Sequence, residues 1–215
     1  MNYVSRRSRF PFPPFFFRLA KLIAIGYLLA VYPLARIIPY EMTWENGPIE
    51  NFQVLLLMVG ALINWRLYKN FAGTVKMYLW QAVFFAVLTA RELSWGQVFL
   101  VVGAKKDGPI FQEFGPNQKL IIHGLVGLLI LWLLVNLIRW VPWKRLLSQG
   151  RELPWCFLSV ILASVFLAYI GEKGLLGLGH KVGQSLEELS EVNVYFGLCC
   201  LSAWYNAHFC QDRER

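Results

Sequence analysis

Residues 120–138 read LIIHGLVGLLILWLLVNLI, with no charged side chain between Lys119 and Arg139. A helix over this stretch rises about 1.5 Å per residue and is long enough to cross a ~30 Å hydrocarbon core. It cannot be an amphipathic surface helix, because nearly every face is apolar. Working outward, five further stretches read the same way, at about 18–39, 50–67, 77–101, 154–171 and 188–209, with 119–140 as the fourth in order. The expected fold is an all-α polytopic membrane helix bundle of about six transmembrane helices. The expected organisation is a basic, Pro/Phe-rich N-terminus (1–17), a single six-helix transmembrane domain (18–209) and a charged tail (210–215).

Composition points the same way. Charged residues make up 16% of the 215 and apolar ones 57%, whereas soluble domains carry about a quarter charged. That excludes a disordered chain and argues against an ordinary soluble enzyme. The first span follows a basic flank, as a signal peptide would. However, its apolar run continues to Leu34 without a cleavage pattern, so we expect it to be retained. The net charge of +8 is read as an orientation signal and not as a nucleic-acid footprint. Arg6, Arg7, Arg9, Arg18, Lys21, Arg66, Lys69, Lys76, Arg139, Lys144, Arg145, Arg151, Arg213 and Arg215 fall on one side, 14 of the 21 basic residues. Positive-inside therefore places both termini in the cytoplasm of a multi-pass protein, expected in the bacterial inner membrane. Cys156, Cys199, Cys200 and Cys210 form no metal-type spacing and read as small fillers of apolar runs.

Acidic residues gather on the opposite side. Ten of the 13 lie in outer loops or outer halves of spans, and acids do not set topology. Three stretches concentrate them. Glu45-Asn-Gly-Pro-Ile-Glu50 is a turn followed by a first-turn carboxylate, which either caps the helix or serves a site. Arg91-Glu-Leu-Ser-Trp-Gly-Gln97 lies within an otherwise apolar run, read as the outer half of the third span. Charges there are costly and face the bundle interior or a wet cavity. Arg91 and Glu92 diverge by about 100° on a helix, so each should find a partner on another helix. Glu92 and Trp95 should share a face. The third stretch is Gln184-Ser-Leu-Glu187-Glu188-Leu-Ser-Glu191-Val-Asn193. Glu187 and Glu191, four apart, repel unless a cation, a shared proton or Arg91 offsets them. A solvated helix start is the alternative. His123, about one turn inside the fourth span, and Gln118 before it complete the set.

From these residue types we expect Glu92, His123 and Arg91 to carry any catalysis, with Glu92 or His123 as general base. Arg91 suits phosphate or carboxylate. Glu50, Trp95, Gln97 and Gln118 are expected to contact substrate. Glu187, Glu188 and Glu191 could hold a divalent metal. Expected partners are membrane lipids and a membrane protein partner, with no nucleic acid. Three functions remain open. The first is binding of, or action on, a lipid or lipid-linked head group in an outer-leaflet pocket. The second is a proton- or cation-coupled transporter, which the near absence of inner ionisable groups disfavours. The third is a non-catalytic membrane partner or assembly subunit.

The motifs E-N-G-P-I-E at 45–50, E-L-S-W-G-Q at 92–97, Gln118 with His123, and E-E-L-S-E at 187–191 resemble those of a group of uncharacterised bacterial polytopic membrane proteins. That group has no settled activity, so the resemblance implies a shared site and not a reaction. This chain departs from the pattern at Arg91, where a second acid is usual, and in lacking an asparagine after His123. The paired histidines of the last helix in alkaline-ceramidase-like hydrolases are missing, since His208 stands alone.

Overall fold

A computed structural model describes residues 14–44, 46–70, 76–95, 100–105, 108–111, 115–140 and 154–209. The fold is almost entirely helical. Its long helices are α1 (Pro14–Ile37), α2 (Pro48–Asn70), α3 (Lys76–Glu92), α4 (Pro116–Trp140), α5 (Trp155–Glu172) and α6 (His180–Phe209). Pro14, Pro48 and Pro116 each open a helix, where a missing N–H costs nothing and φ is preset. Phe15–Ile37, Tyr40–Asn70 and Trp155–Glu172 are long and apolar enough to cross a membrane, and Gly124–Trp140 is a shorter apolar stretch. Leu22, Leu29, Leu62, Leu128, Leu162 and Phe166 are exposed around the outside. Contiguous apolar surface of that extent is what lipid, and not water, tolerates. The fold is that of a helical membrane protein.

The third helix is shorter than its apolar run. It ends at Glu92, and Ser94 and Trp95 have φ of +44° and +53°, outside helical space. Residues 101–105 then form a strand, β1, paired antiparallel with β2 at 108–111. Val101 and Val102 favour strand, and Lys105 pairs with Gly108 at the end of the ladder. The expected span over 77–101 is thus corrected to a helix over Lys76–Glu92 with a hairpin beyond it. Arg91 and Glu92 occupy its last turn, and Trp95 lies past the break instead of on the face of Glu92. The sixth helix is longer than expected, starting at His180. Glu187, Glu188 and Glu191 therefore lie two or more turns inside it, beyond the reach of its N-terminal dipole. A solvated helix start does not explain them.

The sixth helix is the hub, packing against α5, α1 and α2, while α2 pairs with α3, and α3 with α4. Close approach of α5 and α6 depends on glycine. A Cβ on Gly171 would sit 2.5 Å from the Gly183 carbonyl oxygen and 2.8 Å from the Glu187 nitrogen. Small residues are how membrane helices pack closely without a hydrophobic driving force. Polar ties add specificity. Asn193 on α6, which is buried, donates from Nδ2 to Ser164 Oγ on α5 at 3.0 Å and to the Ala24 carbonyl on α1 at 3.3 Å. Replacing Asn193 with leucine leaves the buried Ser164 hydroxyl without this donor. The expected cost is about 1–3 kcal/mol, read as an earlier unfolding midpoint in detergent.

A short 3₁₀ turn, Tyr40–Thr43, joins α1 to α2 and docks on the start of α6. Tyr40 donates from its hydroxyl to Gln184 Oε1 at 2.6 Å, and Gln184 Nε2 donates to the Thr43 carbonyl at 3.0 Å. The Thr43 and Ser185 hydroxyls lie 3.1 Å apart. His180 stacks edge-on to Tyr40 with ring centres 6.4 Å apart. These contacts fix the ends of α1, α2 and α6 relative to one another, just above the acidic stretch.

Candidate functional site

Below that junction, α2, α3 and α6 bring carboxylates from three helices together. The centre is Tyr195, one turn after Glu191 on α6 and buried. Its hydroxyl donates to Glu92 Oε1 at 2.6 Å. Arg91 Nη1 donates to the same Tyr195 oxygen at 2.7 Å and lies 3.2 Å from Glu92 Oε1, while Nη2 donates to Glu191 Oε1 at 2.9 Å. Arg91 and Glu92 thus each find the partner on another helix that the sequence demands, and they also pair with each other. Glu92 lies at a helix C-terminus, where the dipole opposes a carboxylate. The phenol and guanidinium supply what the backbone there cannot.

Burial divides the pair. The Glu92 side chain is 6% exposed and that of Arg91 54%. A guanidinium carries five N–H donors, and Arg91 spends its inner edge on Tyr195, Glu92 and Glu191. More than half of the side chain remains exposed.

On the α2 side, Glu50 accepts from the Asn46 backbone N–H. The turn that makes this possible needs Asn46 at φ +60° and glycine at 47, where a Cβ would meet the Trp44 carbonyl at 2.6 Å. Glu50 therefore does cap its helix, and its carboxylate also stands in the cluster. Gln53, one turn on, reaches α6. Its Nε2 donates to the Glu188 backbone carbonyl at 2.8 Å and to Glu188 Oε2 at 3.1 Å. Glu188 lies within electrostatic reach of Glu191, Glu50, Glu92 and Glu187. Among the described residues, five carboxylates thus share one end of the α2–α3–α6 seam with Arg91. Glu187 also feels Glu172 and Lys173 at the end of α5. Lys173, in the turn after α5, donates to Glu172 at 2.5 Å. That hydrogen bond, and then the charge of Glu172, raise the lysine above its ordinary value.

Of the residues expected at a site, Glu50, Arg91, Glu92, Glu187, Glu188 and Glu191 are brought together. Trp95 is half-buried just past the end of α3. Gln97 lies outside the described residues. Gln118 and His123 fall on α4, and their side chains lie outside the description. No three His, Cys, Asp or Glu side chains form a metal-type group among the described residues. Tyr195 and Gln53 were not singled out by sequence reasoning. Each was findable, Tyr195 four residues after Glu191 and Gln53 three after Glu50, on the same helix faces.

A second polar group lies further along the same seam. Asn64 on α2, Gln81 on α3, and Ser202 and Asn206 on α6 are linked by hydrogen bonds. Asn64 Nδ2 to Ser202 Oγ spans 3.0 Å, Ser202 Oγ to Gln81 Oε1 2.9 Å, and Asn206 Nδ2 to Asn64 Oδ1 3.1 Å. None of the four is ionisable. Leu57, Phe85 and the ring of Tyr195 form an apolar layer between the two groups. Beside the second group is a cavity of about 240 Å³ lined by Phe16, Leu56, Gly60, Phe85 and Cys199. Sequence reasoning missed this group because each member is a single polar residue in an apolar run. The short connection between α2 and α3, which sets Asn64 and Gln81 at one depth, was the available signal.

Tyr195→Phe removes the donor that Glu92 receives from α6. The expected cost is about 1–3 kcal/mol of stability, measured by chemical unfolding in a defined detergent. Tyr195→Leu should cost more, because it also opens the packing against Leu57 and Phe85.

No protein-family model matches this chain, and no curated protein and no solved structure is similar to it.

Proposed function

We propose that this is a six-span, multi-pass protein of the bacterial inner membrane with both termini cytoplasmic, whose outer-face acidic pocket binds, and acts on, the head group of a lipid or lipid-linked molecule. The observation that carries this is the arrangement around Arg91. Its inner edge is held by Glu92, Tyr195 and Glu191, and half of its side chain is exposed. A guanidinium so held is oriented before any ligand arrives, and its planar fork suits a phosphate or carboxylate. The fourteen basic residues read from the sequence as cytoplasmic support an extracytoplasmic position for this pocket under positive-inside. In that reading α3 and α4 also cross the bilayer, with the hairpin between them at the outer surface.

The chemistry available at such a site is acid–base work on a bound head group. Glu92 keeps one oxygen beyond its bonds to Tyr195 and Arg91, and this oxygen is the candidate base. His123, on α4, is the alternative base or its partner. Glu187, Glu188 and Glu191 are the donor set for a divalent metal, a hard cation that favours carboxylate oxygen. The test is turnover or binding of lipid-linked substrates by purified protein in lipid discs. Glu92→Gln and His123→Ala should each reduce turnover by about 10²-fold or more. Full activity in both would end the catalytic assignment and leave binding alone.

A second reading, a proton- or cation-coupled transporter, draws support from the Asn64–Gln81–Ser202–Asn206 group. It gives the seam a polar inner half beneath an apolar layer at Leu57 and Phe85. Flux into proteoliposomes that disappears with Glu92→Gln and with Asn64→Leu would favour this reading over head-group chemistry.

A further inference from the structure

One buried acceptor beside the acidic residues is not itself an acid. Gln53 is fully buried, and both bonds of its amide nitrogen go to acceptors, the Glu188 carbonyl and the Glu188 carboxylate. That fixes the orientation of the amide, since the flipped form would set oxygen against oxygen. The amide oxygen is left buried with no hydrogen-bond donor among the described residues. A buried acceptor left unmade costs about as much as a lost hydrogen bond. Glu188 spends one carboxylate oxygen on Gln53, and Glu50, one turn before Gln53 on the same face of α2, interacts with it electrostatically. The Gln53 amide oxygen and the Glu188 carboxylate therefore belong to one local group, to which a compact ligand rich in N–H donors is complementary.

Resting on the head-group reading above, we propose that the ligand carries a primary ammonium, seated between Gln53 Oε1 and the Glu188 carboxylate, with its anionic part on the outer edge of Arg91. The ligand class is a zwitterionic phosphate-amine head group, of which phosphatidylethanolamine is the membrane-borne form. A primary ammonium has three N–H donors and one positive charge, which answers the orphaned amide oxygen and the adjacent Glu188 carboxylate together. A quaternary ammonium has no N–H to give and is recognised by aromatic faces instead. The separation of roles follows from the layout. Arg91 is engaged by α3 and α6 at Glu92, Tyr195 and Glu191, whereas the amide oxygen belongs to the α2 side.

The experiment uses the full chain in lipid discs of phosphatidylcholine, with short-chain phosphatidylethanolamine, phosphatidylcholine and phosphatidylglycerol added as competitors and the bound lipid read by native mass spectrometry. Phosphatidylethanolamine should be preferred over phosphatidylcholine by about tenfold or more, the equivalent of one charge-assisted hydrogen bond. This comparison needs no variant. Gln53→Met and Glu188→Gln should then each shrink the preference for phosphatidylethanolamine over phosphatidylcholine. Soluble glycerophosphoethanolamine, added alone, separates the lipid from a free head group. Displacement of bound phosphatidylethanolamine at comparable concentration assigns the site to the free compound, and the ammonium assignment stands. Equal binding of phosphatidylethanolamine and phosphatidylglycerol, both lost in Arg91→Leu, would overturn the ammonium and spare the head-group reading. No preference for any head group would overturn both. Binding of Ca²⁺ or Mg²⁺ alone, lost in Gln53→Met and unaccompanied by any ethanolamine preference, would replace the ammonium with a metal and also overturn the proposal.

Discussion

Arg91→Leu is expected to weaken head-group binding by at least about tenfold and to lower stability by about 1–3 kcal/mol. The stability part follows from what is left behind. Glu92 is buried and Glu191 nearly so, and both lose their cationic partner while Glu187 and Glu188 remain beside them. Removing one member of a fully buried pair costs about 3–5 kcal/mol. The smaller figure applies because Arg91 is half exposed, so solvent already shares the work of screening. Arg91→Lys tests the geometry apart from the charge. An ammonium keeps the charge but cannot bond Tyr195, Glu92 and Glu191 from one rigid fork. Stability should therefore recover more than binding does. Chemical unfolding in detergent reads the first quantity, and competition by lipid in discs reads the second.

Gly171→Leu is expected to have the largest effect on the fold itself, about 3 kcal/mol or more. Its Cβ would meet backbone atoms of Gly183 and Glu187, 2.5 and 2.8 Å away, and backbone cannot rotate aside. Relief requires α5 to move off α6. Gly183→Leu should act similarly, since its Cβ would lie 2.8 Å from the Gly171 oxygen. Because Glu187 is part of the contact, separation of the helices should also disturb the acidic pocket. Gly179→Ala is the control, with nothing within 4 Å of its added carbon. The thermal midpoint should fall steeply for the first two substitutions and hardly move for the third.

Much of the helical layout is legible in the sequence. An uninterrupted apolar run such as 120–138 has few alternatives, and positions 18–39, 50–67 and 154–171 fall within or close to the observed helices. The failure at 93–101 has a physical cause. Hydropathy reports burial or lipid contact and not backbone conformation, so Val101–Ala104 prolongs the apolar run of α3 as a strand. The extension of α6 back to His180 was hidden for the opposite reason. Lys181, Gln184 and Glu187 make its first turns polar, and a search for apolar spans passes over them.

Legibility of the site followed charge. Arg91, Glu92 and Glu191 announce themselves because ionised groups in an apolar run are expensive. Their neutral partners do not. Tyr195 reads as one more aromatic residue in an aromatic-rich chain, and Gln53 as one polar residue in a helix. Which neutral side chain completes a buried ion cluster depends on helix rotation and pairing, and periodicity within a single helix leaves both open.

The central claim is that ionisable and polar groups from separate helices form one connected pocket. A double-mutant cycle between Glu92 on α3 and Tyr195 on α6 tests it most directly, with unfolding free energies of Glu92→Gln, Tyr195→Phe and the double variant measured in one detergent. The buried 2.6 Å contact requires a coupling energy of about 1 kcal/mol or more. Effects that add to within about 0.3–0.5 kcal/mol would mean the two side chains do not meet, and the pocket would not exist as drawn.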